Sequence, residues 1–255
     1  MIDAFILLTP ILVFAILALF AFVGCDRLLG LQEVYPPPDA LPVTRIFQQA
    51  ANQNSGKGPF TVSFSPLASD SNLLVLVSIH WGNSGGATAA ITVNGAPPQT
   101  IESDLFNPQA VAHFFASSLS GPISVSIALS SNSNTAWDYC VTIYSNADQS
   151  SSPFNSPVSR QGTAQGTIPD SANQITITSS SNNLIYAVAN SQVAGGVLGG
   201  NLSVGAGFSL VASPSSYFLV EDLAVDDQTS EPVIPTVSAS GGARWYFFAA
   251  EIKHA

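Results

Sequence analysis

The residues with the clearest potential for chemistry form an acidic run in YFLVEDLAVDDQ, in the C-terminal part of the chain. Glu221, Asp222, Asp226 and Asp227 place four carboxylates within seven residues. Carboxylate oxygens are ligands that Ca²⁺ prefers, so the run predicts a structural calcium site, and the residues suggest no other cofactor. In the alternative interpretation Asp222 and Asp226 face solvent on a strand, and Asp227 begins a turn.

A second candidate site lies in SIHWGNSGG, where Trp81 ends a predicted strand and Asn83 follows in a predicted loop. An exposed indole is a large flat apolar surface that can stack on a sugar ring, and the Asn83 amide can bind its hydroxyls. These two residues therefore predict a glycan-binding site. In the alternative interpretation Trp81 caps the edge of a β-sandwich. Trp137 and Trp245 stand inside apolar runs, and we predict that both are core residues.

No set of residues predicts catalysis. His80 and His113 have no cysteine or acidic neighbour at ligand spacing, and His254, the penultimate residue, is expected to be frayed. The chain contains no G-x-S-x-G, no phosphate-binding glycine loop and no H-E-x-x-H. We therefore predict that the protein is not an enzyme. The acidic run keeps a jelly-roll glycoside hydrolase as a further alternative, which would need a second carboxyl group ~5–9.5 Å away in a cleft.

The N-terminal segment predicts a membrane anchor. Residues 4–24 carry no charge over 21 positions, and about 20 helical residues cross a hydrocarbon core. No Lys or Arg precedes them, unlike in a secretory signal peptide. This favours an uncleaved transmembrane helix, residues 1–25, that contacts membrane lipid through residues 4–24. In the alternative interpretation FVGC is a lipobox, and Cys25 carries the lipid.

Composition indicates an exported protein with an uncharged polar surface. Only 6 Lys and Arg stand against 16 Asp and Glu in 255 residues, giving a formal net charge of −10. This excludes a nucleic-acid partner, because there is no basic footprint for phosphates. After residue 43 the chain is rich in Ser, Asn, Thr, Gly and Ala. We therefore expect the β domain on the periplasmic or extracellular side of the cell membrane.

The remaining chain predicts a proline-containing linker over residues 26–55 and an all-β domain over residues 56–255. Within the linker, residues 43–52 could form a short helix or a strand. Apolar and β-branched runs bounded by Gly, Pro, Asn and Ser are typical of a β-sandwich or jelly roll. The segment ISVSIAL alternates as a half-buried strand does. The predicted strands cover residues 60–65, 73–80, 89–94, 111–116, 123–129, 137–144, 174–179, 184–190, 207–212, 217–225 and 244–252.

An internal sequence repeat divides this domain into two related halves. SDSNLLVLVSIHWGNSGG resembles SSSNNLIYAVANSQVAGG, and NTAWDYCVTIYS resembles GGARWYFFAAEIK. The Asn-Leu pairs, at 72 and 183, and the tryptophans, at 137 and 245, lie at nearly the same offset. A repeated offset indicates repeated structural units. The predicted halves are residues 56–148 and 167–255, joined by the Ser/Pro-rich residues 149–166.

The second half also carries a resemblance to a known class of domain. The order Asn-Leu, VGAGFSLV, EDLAVDD and W-x-F-x-A-x-x-I-K resembles the concanavalin-like jelly-roll domains of bacterial exported proteins, most clearly over residues 179–253. The resemblance implies a jelly-roll fold, a structural calcium ion and a place beside adhesive or carbohydrate-binding modules. The expected function is therefore a membrane-anchored binding or structural protein that contacts glycans or surfaces. The alternative is a non-catalytic accessory subunit bound to other subunits of a membrane complex.

Overall fold

The computed structural model describes residues 41–53, 58–81, 88–98, 100–104, 109–115, 121–130, 137–150, 153–163, 166–193, 197–198, 201–225, 232–240 and 244–255. The predicted anchor helix and most of the predicted linker lie outside these residues. Among the described residues, none forms a helix that is long and apolar enough to cross a membrane. The prediction of an all-β chain is confirmed for this part of the chain.

The part of the chain that the structure describes contains nineteen strands. They are β1 (Thr44–Gln53), β2 (Phe60–Phe64), β3 (Leu74–Trp81), β4 (Ala89–Val93), β5 (Thr100–Asp104), β6 (Gln109–Phe115), β7 (Ile123–Leu129), β8 (Trp137–Ser145), β9 (Phe154–Gly162), β10 (Gly166–Ile168), β11 (Ile177–Thr178), β12 (Leu184–Val193), β13 (Val197–Leu198), β14 (Asn201–Ser203), β15 (Ser209–Ser215), β16 (Phe218–Ala224), β17 (Pro232–Val233), β18 (Val237–Ser240) and β19 (Arg244–Ile252).

The same strand order occurs twice. The first large sheet has the order β1-β8-β3-β6-β5 and faces a small sheet of order β2-β7-β4. The second large sheet has the order β9-β19-β12-β16-β15, with β13 added to β12, and faces a small sheet of order β10-β18-β14. Strands β11 and β17 form a separate pair. Every pairing is antiparallel, so the described chain contains two sandwiches of like connectivity.

The two large sheets face each other, which gives four layers and three apolar cores. The outer cores lie inside the two sandwiches, and the central core lies between the large sheets. Strands β3 and β8 are therefore buried on both faces, whereas β7, at the outside, alternates buried and half-buried positions. This difference explains the sequence patterns, because a strand buried on both faces reads as a continuous apolar run.

Two predicted boundaries and the predicted register of the repeat differ from the structure. Residues 44–53, expected in the linker, form β1 and pair along β8 from Thr44↔Ser145 to Gln53↔Trp137. The expected connection at residues 149–166 contains β9, which pairs with β19. The repeat also shifts by one residue from the predicted pairing: Leu74 and Leu184 take matching register positions, so Asn72 matches Asn182, and both have positive φ, 48° and 65°.

The described body has two ends, which the course of the chain distinguishes. The near end is the one that holds residues 41–42 and Ala255, and the far end is the opposite one, which holds Trp81 and Trp137. At the near end, Asn146 donates from Nδ2 to the Pro42 carbonyl (3.1 Å) and accepts from the Ala255 amide (2.8 Å). Both the start and the end of the described chain therefore lie there. At the far end, Trp81 pairs with Trp137 in the first large sheet. In the second large sheet, Ser191 pairs with Trp245.

Candidate functional site

A polar cluster lies between the two large sheets at the far end. The Asp138 carboxylate, fully buried on β8, accepts from Asn52 Nδ2 and from Ser215 Oγ, both at 2.9 Å. Asn52 Nδ2 also lies 3.1 Å from the Tyr217 hydroxyl oxygen. Asn52, Ser215 and Tyr217 are half-buried, so the cluster reaches the surface of the seam between the halves. We call these four residues the seam cluster.

His80 stands behind the seam cluster and is fully buried. Its ring stacks on Phe218 with centroids 6.1 Å apart and an interplanar angle of 8°. His80 Nδ1 lies 3.9 Å from Asp138 Oδ2, too far for a direct hydrogen bond. Burial lowers the pKa of His80, although Asp138 opposes the change. Ser215 donates to Asp138 rather than to His80, so serine, histidine and aspartate do not form a nucleophile and base pair here.

Three further contacts join the large sheets through the central core. Arg45 Nη1 lies 2.8 Å from Asp222 Oδ2, and the Tyr144 hydroxyl donates to the same oxygen (3.1 Å). Burial raises the pKa of Asp222, and the Arg45 guanidinium opposes that rise. Ser78 Oγ and the Tyr186 hydroxyl lie 2.6 Å apart. These buried polar groups have partners, as expected for groups removed from water, and they fix how the halves meet.

Two of the predicted calcium ligands, Glu221 and Asp222, lie on opposite faces of β16. Asp222 points into the central core, whereas the neighbouring Glu221 accepts from the Gly205 amide (2.8 Å) beside the outer core of the second half. Successive strand side chains take opposite faces, so Glu221 and Asp222 do not converge on one ion. Asp226 and Asp227 lie outside the described residues. Within the described ranges no group of three or more His, Cys, Asp or Glu is placed to hold a metal, and calcium stays a prediction.

Glu221 is a buried acid with a single hydrogen-bond donor among the described residues. Its side chain has no exposed surface, and Oε1 has no partner. Burial is the main cause that raises the pKa of Glu221 to about 7, and the Gly205 amide opposes it. Neither Glu221 nor Asp222, which is 5% exposed, lines an open cleft as a glycosidase acid requires.

A second polar cluster fixes the C-terminal residues at the near end. The buried Glu251 carboxylate accepts from the Asn155 and Asn183 side chains, Ser179 Oγ and the Ser180 amide, at 2.5–2.8 Å. These donors lower the pKa of Glu251, although burial is the largest single influence and acts in the opposite direction. Asn183 Oδ1 in turn accepts from the His254 amide (2.9 Å). The expectation of a frayed His254 is therefore wrong.

Trp81 is 4% exposed and packs in the core of the first half. This position agrees with the alternative interpretation, in which Trp81 caps the edge of the β-sandwich. The indole face of Trp81 is not available to a sugar ring in this structure. Asn83 and Cys25 lie outside the described residues, so both assignments stay predictions. Trp137 and Trp245 are core residues as predicted. Cys140 is a free, buried cysteine whose thiol pKa is raised by burial to about 12.

The seam cluster was not found from the sequence. Its members come from β1, β8 and the β15–β16 turn, and no local motif connects them. The sequence did contain one indication of the cluster: a charged residue, Asp138, stands inside the otherwise apolar strand WDYCVTIYS. Charged residues are seldom fully buried unless they are paired, so such a residue indicates a buried polar contact.

Comparison with known proteins adds no identification: the chain matches no family model, no curated protein and no solved structure.

Proposed function

We propose that the protein is a membrane-anchored, exported β-sandwich protein with a binding role at the cell surface. The observation that carries the proposal is the placement of the chain ends. Residue 41, which follows the apolar N-terminal segment, lies at the near end together with Ala255. The far end of the body lies opposite the point where the chain enters it, and we take it as the end that binds a ligand.

The sequence of the connections supports a binding role for the far end. Five segments join strands whose described ends lie there: NSGK, GNSGGA, SNSNTA, AGG and GGA. They contain one charge, Lys57, among many Gly, Ser and Asn residues. Small and amide side chains of this kind supply adaptable hydrogen bonds to neutral, hydroxyl-rich ligands. A neutral glycan on a surface is the ligand class that fits this composition and the shortage of cations.

The hydrogen bonds between the halves support a binding role rather than catalysis. The seam cluster uses its carboxylate for contacts between the sheets, and no nucleophile is paired with a base there. A jelly-roll fold of the concanavalin type, with its associated carbohydrate binding, stays part of this proposal. The proposal also includes a periplasmic or extracellular location, which the Lys-poor, Ser- and Asn-rich composition supports.

The test measures polysaccharide binding by the full chain in lipid nanodiscs. We expect saturable binding to a neutral surface glycan that Asn83→Ala weakens. The matched control is Asn201→Ala, an exposed amide at the far end of the small second sheet. Equal binding by both variants and the unchanged protein would remove Asn83 from the site. Absence of binding across a panel of neutral glycans would contradict the proposal.

The second candidate function is a non-catalytic accessory subunit of a membrane complex. Leu41 and Leu67, which are 65% and 70% exposed, favour it because they present apolar surface at the near end of the body, where another subunit could bind. Co-purification of the full chain with other membrane proteins at a fixed stoichiometry is the expected result in that case.

A further inference from the structure

Two strongly exposed leucines lie at the near end of the body. Leu41 is the first described residue, and Leu67 is in the connection between β2 and β3. Asn146 links their surroundings, because its Nδ2 donates to Pro42 and its amide donates to the Ser71 carbonyl (2.9 Å). Leu67 belongs to a turn closed by the Asp70 carboxylate, which accepts from the Leu67 amide at 2.7 Å. The apolar side chain is thus held outward by a hydrogen-bonded turn.

The surface around Leu67 offers room for small groups and carries few free charges. A groove of about 650 Å³ opens beside it, with Pro66, Gly121 and Pro122 among its lining residues. Nearby at this end, Lys253 and Asp148 form an ion pair at 2.8 Å and neutralise each other. Without a cluster of unpaired cations among the described residues, this end is not built for anionic lipids, whose attraction requires Lys and Arg.

If the N-terminal segment is a membrane anchor, the length of the chain before Leu41 limits how far the near end can lie from the membrane. Residues 25–40 separate the apolar segment from Leu41, and 16 residues reach at most about 55 Å when fully extended. A tether of this length makes contact with the membrane an intramolecular event with a high effective concentration. In a tethered protein, the transfer of exposed apolar side chains such as Leu41 and Leu67 from water to a lipid interface is favourable in free energy.

We propose that the near end of the body rests on the bilayer, with Leu41 and Leu67 inserted at a zwitterionic lipid interface. The inference rests on the proposed membrane anchor and adds an orientation to it. The strands then stand away from the membrane, and the far end with its Gly/Ser/Asn-rich connections is presented outward. Leu41 and Leu67 act as positioning residues for the binding end.

The test places a tryptophan at the near end and measures quenching by brominated lipid. The full chain with Leu67→Trp is assembled in nanodiscs of phosphatidylcholine or of its acyl-brominated analogue. The native tryptophans are buried, at most 4% exposed, and the unchanged protein supplies their signal for subtraction. We expect the added emission of Leu67→Trp to be mostly lost in brominated lipid. Leu41→Trp, a second variant at an exposed site, is expected to behave in the same way.

The matched control is Ala90→Trp, an exposed position on β4 toward the far end of the same half. Its added emission is expected to be retained. Quenching of Ala90→Trp as strongly as Leu67→Trp would overturn the end-on orientation. If the chain co-elutes with the nanodisc but the added emission of Leu41→Trp and Leu67→Trp is not quenched, the lipid contact is overturned. The membrane anchor would still be supported by that result. A chain that does not co-elute with nanodiscs would overturn both the anchor and this inference.

Discussion

Glu221 shows how one buried acid makes stability depend on pH. Its pKa is raised from 4.5 to about 7, so between these values the folded state binds a proton that the unfolded state has released. The contribution of Glu221 to the free energy of unfolding is therefore highest below pH 4.5, falls as the pH rises to 7, and is then level. At ~1.4 kcal/mol per pKa unit, the fall amounts to about 3 kcal/mol. Glu221→Gln is expected to abolish it, as measured by urea unfolding at a series of pH values.

Glu251 provides the opposite case at the same residue scale. Its pKa is lowered by four donors, so the unfolded state takes up a proton first as the pH falls. Its contribution is present above the ordinary value of 4.5 and is lost as the pH falls through the lowered value. Glu251→Gln is expected to flatten the acid limb of the same urea profile and to leave the fall that is due to Glu221. A change in both limbs would show that the two sites are coupled.

Among the elements, β9 shows where the sequence was least informative. FNSPVSRQG contains a proline and few apolar residues, and among the described strands it pairs with β19 alone, at the edge of its sheet. Proline and polar residues are tolerated at sheet edges, so such a strand looks like a linker in the sequence. Strands β7 and β19 were predicted with the bounds that the structure shows, because their side chains face cores. The polar contacts of the seam cluster could not be predicted, since they join residues from distant strands.

The packing of β9 on β19 gives a prediction for Gly162. A Cβ added to Gly162 would lie 2.3 Å from Cζ2 of Trp245, so the indole occupies the space that a side chain would need. Gly162→Ala is expected to destabilise the protein by about 1–3 kcal/mol, the usual cost of overpacking. Thermal unfolding followed by circular dichroism measures this loss.

The matched experiment relieves the clash from the other side. Trp245→Phe removes the indole atoms nearest Gly162 but also creates a cavity, so it is destabilising alone. In the Gly162→Ala/Trp245→Phe double variant the alanine methyl group has room. We expect the double variant to lose less stability than the sum of the two single losses. Strict additivity would show that the two positions do not interact.

At the scale of the whole molecule, the two halves behave as one body because their large sheets share a core. The central cluster contains apolar side chains from β3, β8, β12, β16 and β19. Apolar burial is non-directional and does not by itself fix how two sheets lie on each other. The buried polar contacts supply that direction, and the Arg45–Asp222 ion pair crosses the central core from the first half to the second.

A double-mutant cycle on this pair tests whether it joins the halves. Arg45→Met leaves the Asp222 carboxylate buried with only the Tyr144 hydroxyl, and we expect a loss of about 2 kcal/mol. This is below the ~3–5 kcal/mol of fully buried pairs, because 27% of the Arg45 side chain is exposed. Asp222→Asn removes the stranded charge, so the double variant should be more stable than Arg45→Met alone. Equal losses from Arg45→Met in both backgrounds, measured by urea unfolding, would mean that the Arg45–Asp222 pair does not help to hold the halves together.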